Sequence, residues 1–297
     1  MNTLPEAGLL GVSAGIHSKQ PPMLPTFIII GAMKSGTTSL HHYLHEHPEI
    51  CMSRVKETNF FLGEEDYARG VEWYGSLFCE CGAKARGETS PNYAMHPLVL
   101  DVPERMHALV PDAKLIYLLR DPIERMISHY IHKQAKGVEQ RSLVDVLAAS
   151  FEEPGYIAPS LYYTQLQKFL RYYRAENILI ITAEDLKWNR LPTLRKVFRF
   201  LEVDAGFKSP NYSRVYHLSS RKTMSPAEQA ILNSRIVRAI RPLVPSTVKR
   251  AFRGIEQMTE SRPSIPSDLR ARLADRLRPE VEALRAHTGE RFARWSL

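Results

Sequence analysis

The run Gly31-Ala-Met-Lys34-Ser-Gly-Thr-Thr-Ser39 concentrates groups that bind anions: one lysine, four hydroxyls at Ser35, Thr37, Thr38 and Ser39, and glycines at Gly31 and Gly36. A glycine turn leading into a helix N-terminus lets backbone N–H groups converge on an anion, and the helix dipole adds partial positive charge. The chemistry such a loop serves is the holding of a phosphate or sulfate-like group. Against the nucleoside-triphosphatase pattern G-x-x-x-x-G-K-[ST], Gly31 and Gly36 match the glycines and Thr38 the hydroxyl. Thr37, however, stands at the lysine position, and the lysine lies three places earlier, at Lys34. A P-loop kinase or NTPase stays an alternative reading. It requires a metal-holding acid after a strand, for which Asp121 is the nearest candidate, although Pro122 follows it.

A second cluster is Leu119-Arg120-Asp-Pro-Ile-Glu-Arg-Met-Ile-Ser128-His-Tyr130. The planar fork of Arg120 suits phosphate oxygens, and Ser128 stands two helical turns further on. The competing reading makes Arg120-Asp121 an ion pair capping a helix, with Arg125 a salt-bridge partner outside the site. Glu57 is a candidate general base, or else a loop carboxylate paired with Lys56 or Arg54. Glu88 is a second carboxylate. His41, His42, His45 and His47 cluster in one segment; the His41/His45 spacing suits a metal pair, but no carboxylate or cysteine completes a ligand set. His129 and His132 are further base candidates.

The segment Phe27–Leu40 closely resembles the 5′-phosphosulfate loop of sulfotransferases that use 3′-phosphoadenosine 5′-phosphosulfate (PAPS), in the branch of heparan sulfate N- and 3-O-sulfotransferases and their bacterial relatives. The resemblance continues through Glu57-Thr-Asn-Phe-Phe61, Tyr67 to Tyr74, Gly87-Glu-Thr-Ser-Pro-Asn-Tyr93 and Lys114–Tyr130, and more weakly over Leu161–Leu201 and Thr288 to Trp295. It implies PAPS as co-substrate, 3′,5′-bisphosphate PAP as product, and no metal. It also implies that Lys34, Ser35, Gly36, Thr37, Thr38 and Ser39 hold the 5′-phosphosulfate, and that Arg120 and Ser128 hold the 3′-phosphate. Lys34 would neutralise charge on the bridging oxygen, and Glu57 would be the base. A sulfuryl donor carries a single negative charge on the group transferred, so one lysine and neutral donors could suffice. The family's covering loop, often Lys-Gly-Arg, falls at Ser219-Ser-Arg221-Lys222-Thr, where Arg221 and Lys222 are candidates for the cofactor or else solvated charges. Where some relatives place a lysine this chain has Thr89. The acceptor is a small molecule or a glycan, with O- and N-sulfation both open; Tyr93, Tyr156, Tyr162, Tyr163 and Trp188 either line its cleft or belong to the core.

The elements that must position these residues follow from periodicity. Thr26–Ile30 and Lys114–Leu119 are unbroken apolar runs, as expected of strands covered on both faces. Shorter strands are expected near Ala85–Glu88 and over Asn177–Thr182. Helices are expected at Thr37–His47, Asp66–Phe78, Val102–Leu109, Pro122 to about Lys133 with Asp121 as N-cap, Ser160–Tyr173, Leu191–Leu201, Ser225–Ile240 and Pro266–His287, with a loop at Glu49–Asn59. Strands alternating with helices imply an α/β fold with a P-loop-like parallel sheet flanked by helices and a helical C-terminal cover. Residues 25–297 read as a single domain behind a flexible leader at 1–24.

With 297 residues and 44% hydrophobic content the chain can bury a substantial core. The net charge of +8 favours anionic ligands without choosing among nucleotide, nucleic acid and polyanion. Acidic residues interleave with the arginines of Leu269–Arg285, as on a solvated amphipathic helix, which argues against a nucleic-acid module. Three cysteines cannot close a disulfide framework, and no apolar run approaches the roughly 20 residues of a membrane span. The expected location is cytoplasmic; oligomeric state is not legible.

Overall fold

The structure, a computed structural model, describes residues 22–78, 82–214 and 263–297. In chain order the strands are β1 (Phe27–Gly31), β2 (Ile50–Met52), β3 (Ala85–Thr89), β4 (Lys114–Leu119) and β5 (Ile178–Thr182). The helices are α1 (Thr37–His45), α2 (Glu64–Tyr67), α3 (Val71–Ser76), α4 (Val102–Leu109), α5 (Pro122–Ala135), α6 (Leu143–Ala149), α7 (Pro154–Ile157), α8 (Tyr162–Leu170), α9 (Ala183–Trp188), α10 (Arg190–Phe200) and, among the described residues, finally α11 (Ser267–Thr288).

All five strands run parallel in the order β2-β3-β1-β4-β5, so β1 is central. Its five residues are fully covered because successive side chains enter opposite cores. Ile28 and Ile30 join Leu115, Tyr117 and Leu119 on one face, with α3, α4 and α8 over them. Phe27 and Ile29 join Ile116 and Leu118 on the other, under α1 and α10. The register pairs Phe27 with Gly87. A Cβ at Gly87 would lie 2.1 Å from the Phe27 ring, so only glycine fits beneath that ring.

α11 presents Leu269, Leu273, Leu277, Val281 and Leu284 on one buried stripe. Its first half closes a core with α5 and α6; its second half packs on α8, where Glu280 accepts from Thr164 N at 2.8 Å and Thr164 Oγ1 at 2.6 Å. Burying each such apolar side chain contributes about 1.5–3 kcal/mol.

The chain leaves β1 toward β2 across the α1 face and returns to β4 across the α4 face. The connections therefore diverge at the carboxyl end of β1, and a crevice opens there, where open α/β sheets bind ligands. Several expectations are corrected. Ile50–Met52 forms a short edge strand inside the expected loop. The expected Asp66–Phe78 helix is broken into α2 and α3 at Gly70, whose φ is 85°. The expected Ser160–Tyr173 helix shortens to α8 because residues 158–160 wind as a tighter 3₁₀ turn. The Ser225–Ile240 helix lies outside the described residues.

Candidate active site

The loop between β1 and α1 is held by Ala32 N, which donates to Leu118 O at 2.7 Å, and by Ser35 N, which donates to Ala32 O at 3.1 Å. Two left-handed residues, Lys34 at φ 71° and Gly36 at φ 97°, turn the backbone into α1. Gly36 is the N-cap of α1; no side chain caps it, and the first turn carries no acid. An unshared helix N-terminus favours an anion. Ser35 is buried, and its Oγ has no hydrogen-bond partner among the described residues. A buried hydroxyl left unmatched costs about 1–3 kcal/mol, which a phosphate or sulfate oxygen would offset. The loop residues thus fit an anionic ligand.

Arg120 begins the turn after β4. Its Nη1 donates to Lys34 O at 3.3 Å, so the two motifs meet across neighbouring strand ends. Ser128 lies on the buried face of α5. Asp121 caps α5 as the Pro122 spacing predicts, its Oδ1 accepting from Glu124 N at 2.9 Å. Its Oδ2 accepts from Ser296 N at 2.6 Å. With both oxygens engaged by backbone, Asp121 serves as a structural cap and lacks the open oxygen that a kinase reading requires. Arg125 is fully buried and hydrogen-bonds Ser160 Oγ at 2.6 Å and Tyr156 O. The expected ion pair at Arg125 is replaced by these neutral acceptors. Burial lowers its guanidinium to about 10.

The carboxylates separate into two roles. Glu88, at the end of β3, is fully buried and accepts from Thr58 Oγ1 at 2.6 Å, Ser90 Oγ at 2.7 Å, Tyr74 OH at 2.7 Å and Tyr93 OH at 3.0 Å. Burial pushes its pKa up, while the hydroxyls pull it down. Both oxygens are used, so Glu88 ties the loop at Thr58 to the sheet. Glu57 is exposed and paired with Lys56, one of the two partners its alternative reading names. The reason is local: positive φ at Glu57 (62°) and Asn59 (55°) sends Thr58 inward to Glu88 and Phe60 into the aromatic core, leaving Glu57 outward. Its N–H donates to Thr89 O at 2.9 Å, which fixes it at the carboxyl end of β3.

The histidines also sort by environment. His41 is buried with Nδ1 3.0 Å from Thr89 Oγ1; burial, then Lys56 and the neighbouring histidines, lower it to about 4. His45 is exposed, so the pair does not converge as a metal site. His47 accepts from Glu49 N through Nδ1 at 3.1 Å and so donates Nε2–H to Asp204 O at 2.9 Å. His129 is buried against Tyr156 and held well below the usual imidazole range by burial, Arg125, Lys133 and Lys34. Of the aromatic residues considered for an acceptor cleft, Tyr93, Tyr156 and Tyr162 are core, while Trp188 is exposed. Arg221 and Lys222 lie outside the described residues.

Residues 24–236 match the sulfotransferase domain family model. The chain belongs to the sulfotransferase family. It is 29% identical over 217 residues to human bifunctional heparan sulfate N-deacetylase/N-sulfotransferase 2, covering 67% of this chain and 24% of that protein. It is 43% identical over 111 residues to membrane-associated sulfotransferase kil1 of Dictyostelium discoideum, covering 36% of this chain and 22% of the relative. The chain therefore spans about a quarter of the length of these curated relatives. A crystal structure of a sulfotransferase from Alicyclobacillus acidocaldarius superposes with a TM-score of 0.66 at 26% identity, covering 92% of this chain and 99% of that one. Among the described residues of this sulfotransferase, no helix is long and apolar enough to cross a membrane.

Proposed function

We propose that the chain transfers a sulfuryl group from PAPS to an acceptor hydroxyl or amine and releases PAP. The observation that carries this reading is the hydrogen bond from Arg120 Nη1 to the backbone Lys34 O at 3.3 Å, which supports reading the two motifs as parts of one site. A donor phosphorylated at both 3′ and 5′ positions needs two cationic anchors. The loop amides, Ser35, Thr37, Thr38 and Ser39 hold the 5′-phosphosulfate, while Arg120 and Ser128 hold the 3′-phosphate.

Transfer is in line. The acceptor atom attacks sulfur, the bond from sulfur to the bridging 5′-phosphate oxygen breaks, and PAP departs with that electron pair. Lys34 neutralises the charge that develops on the bridging oxygen. Glu57 takes the proton from the acceptor, exchanging its contact with Lys56 for one with the substrate. Positioning and charge supply most of the rate, as in phosphoryl transfer. The relatives named for heparan sulfate support a glycan acceptor, with Lys56 available at the rim to meet a negatively charged group.

Two assays test the reading. Calorimetry with PAP in the presence of a metal chelator is expected to give micromolar binding, and labelled PAPS screened against glycans, phenols and amines is expected to label an acceptor. Tight Mg²⁺–ATP binding with no response to PAP overturns it.

A further inference from the structure

The residues that follow α11 run back to the turn that presents Arg120. Ser296 N donates to Asp121 Oδ2 at 2.6 Å. Trp295 Nε1 donates to Glu184 Oε2 at 3.1 Å, and the other oxygen of Glu184 accepts from Asp121 N at 3.0 Å. The Trp295 ring stacks on Phe292 at 4.5 Å and lies 5.7 Å from Tyr162. Tyr162 in turn donates its hydroxyl to Arg120 O at 2.8 Å. Both ends of the segment are tied to α11, since Arg285 Nε donates to Arg291 O at 3.0 Å and Arg285 Nη2 to Leu297 O at 2.6 Å.

We infer that residues 291–297 form a strap that positions Arg120 for the 3′-phosphate, with Trp295 and Ser296 as its positioning residues. The inference rests on the donor site proposed above. The hydrogen bonds of Ser296 and Trp295 end on Asp121 and on Glu184, which itself accepts from Asp121 N. Two effects follow. The turn is fixed before the ligand arrives, so binding does not have to order it. Donors from the strap also engage Asp121 Oδ2 and Glu184 Oε2, which holds both side chains in place against the turn. A strap of this kind acts on the 3′-phosphate and leaves the 5′ end, held by the loop before α1, unaffected.

The test compares PAP with 5′-AMP, which lacks the 3′-phosphate, by calorimetry on the full chain. Trp295→Phe keeps the stacking and removes the Nε1–H donor; Ser296→Pro removes the backbone donor to Asp121. Each is expected to weaken PAP about fivefold to tenfold, part of the free energy of one hydrogen bond to a charged group because the effect reaches the ligand through Arg120, and to change 5′-AMP by less than about twofold. In an Arg120→Ala background the same substitutions are expected to cause no further loss, because the group they position is gone. Parallel losses for both nucleotides, or unaltered PAP binding, overturn the strap. Wild-type protein that binds PAP no better than 5′-AMP overturns the donor assignment, and the strap with it.

Discussion

At the scale of single residues, the division of labour between Lys34 and Glu57 is the point most open to measurement. Lys34 sits in a left-handed turn beside the contact with Arg120, and its proposed task is realised as charge develops in the transition state. Lys34→Ala is therefore expected to lower kcat by about 10²–10³-fold while PAP binding, carried largely by amides and hydroxyls, falls far less. Glu57→Gln keeps the shape and removes the proposed base, so kcat is expected to fall about 10²–10⁴-fold with PAP affinity unchanged. Steady-state kinetics with PAP calorimetry separates the two; a Lys34 variant that loses binding and rate together reassigns the lysine to ground-state holding. Glu88 predicts a different signature. Removing the acceptor of four buried hydroxyls through Glu88→Ala is expected to destabilise the fold by about 3 kcal/mol or more, read as a lowered urea midpoint. Glu88→Gln, which keeps the volume and a carbonyl oxygen, is expected to recover part of that loss.

At the scale of elements, legibility in sequence followed locality. β1 and, after Lys114, β4 are unbroken apolar runs because both faces are covered, so they are readable without any partner. α4 falls on its expected residues, since its Pro and apolar spacing are self-contained. β2 was read as loop because three residues flanked by charge carry too little pattern, and its strand character comes from pairing with β3. The loop before α1 and the Arg120 turn were legible as motifs, each being contiguous. The linkage of Asp121 to Ser296 spans a separation of 175 residues, and the Glu88 network joins α3, the Thr58 loop and β3; no local signal announces either. The same burial that these elements create has a pH consequence. His41 on α1 titrates near 4 and His129 on α5 lower still, against an ordinary 6.5. Below 6.5 the unfolded chain binds protons that the folded chain refuses, so stability falls as pH drops from 6.5 toward 4. Each histidine contributes a slope of up to about 1.4 kcal/mol per pH unit. Urea unfolding at pH 7.0, 6.0 and 5.0 checks this, and His129→Asn is expected to flatten the dependence; an unchanged slope in that variant removes His129 from the account.

At the scale of the whole molecule, the sheet order and the charge act on one place. The connections diverge at the carboxyl end of β1, so the anion loop, the Arg120 turn and the end of β3 converge there from three parallel strands. The chain's net charge of +8 favours anionic ligands in general. A ligand that joins two strand ends stabilises the sheet they belong to and gains nothing from the unfolded chain. PAP at about 100 times its dissociation constant is therefore expected to add about 2.7 kcal/mol, a rise in Tm of roughly 4 °C. The shift is expected in the presence of a metal chelator, to shrink as ionic strength rises, and to fall sharply in Arg120→Ala. 5′-AMP, engaging one anchor, is expected to give a smaller shift that Arg120→Ala leaves in place. Equal shifts for the two nucleotides would mean that Arg120 and Lys34, though in contact, do not act as one two-ended site.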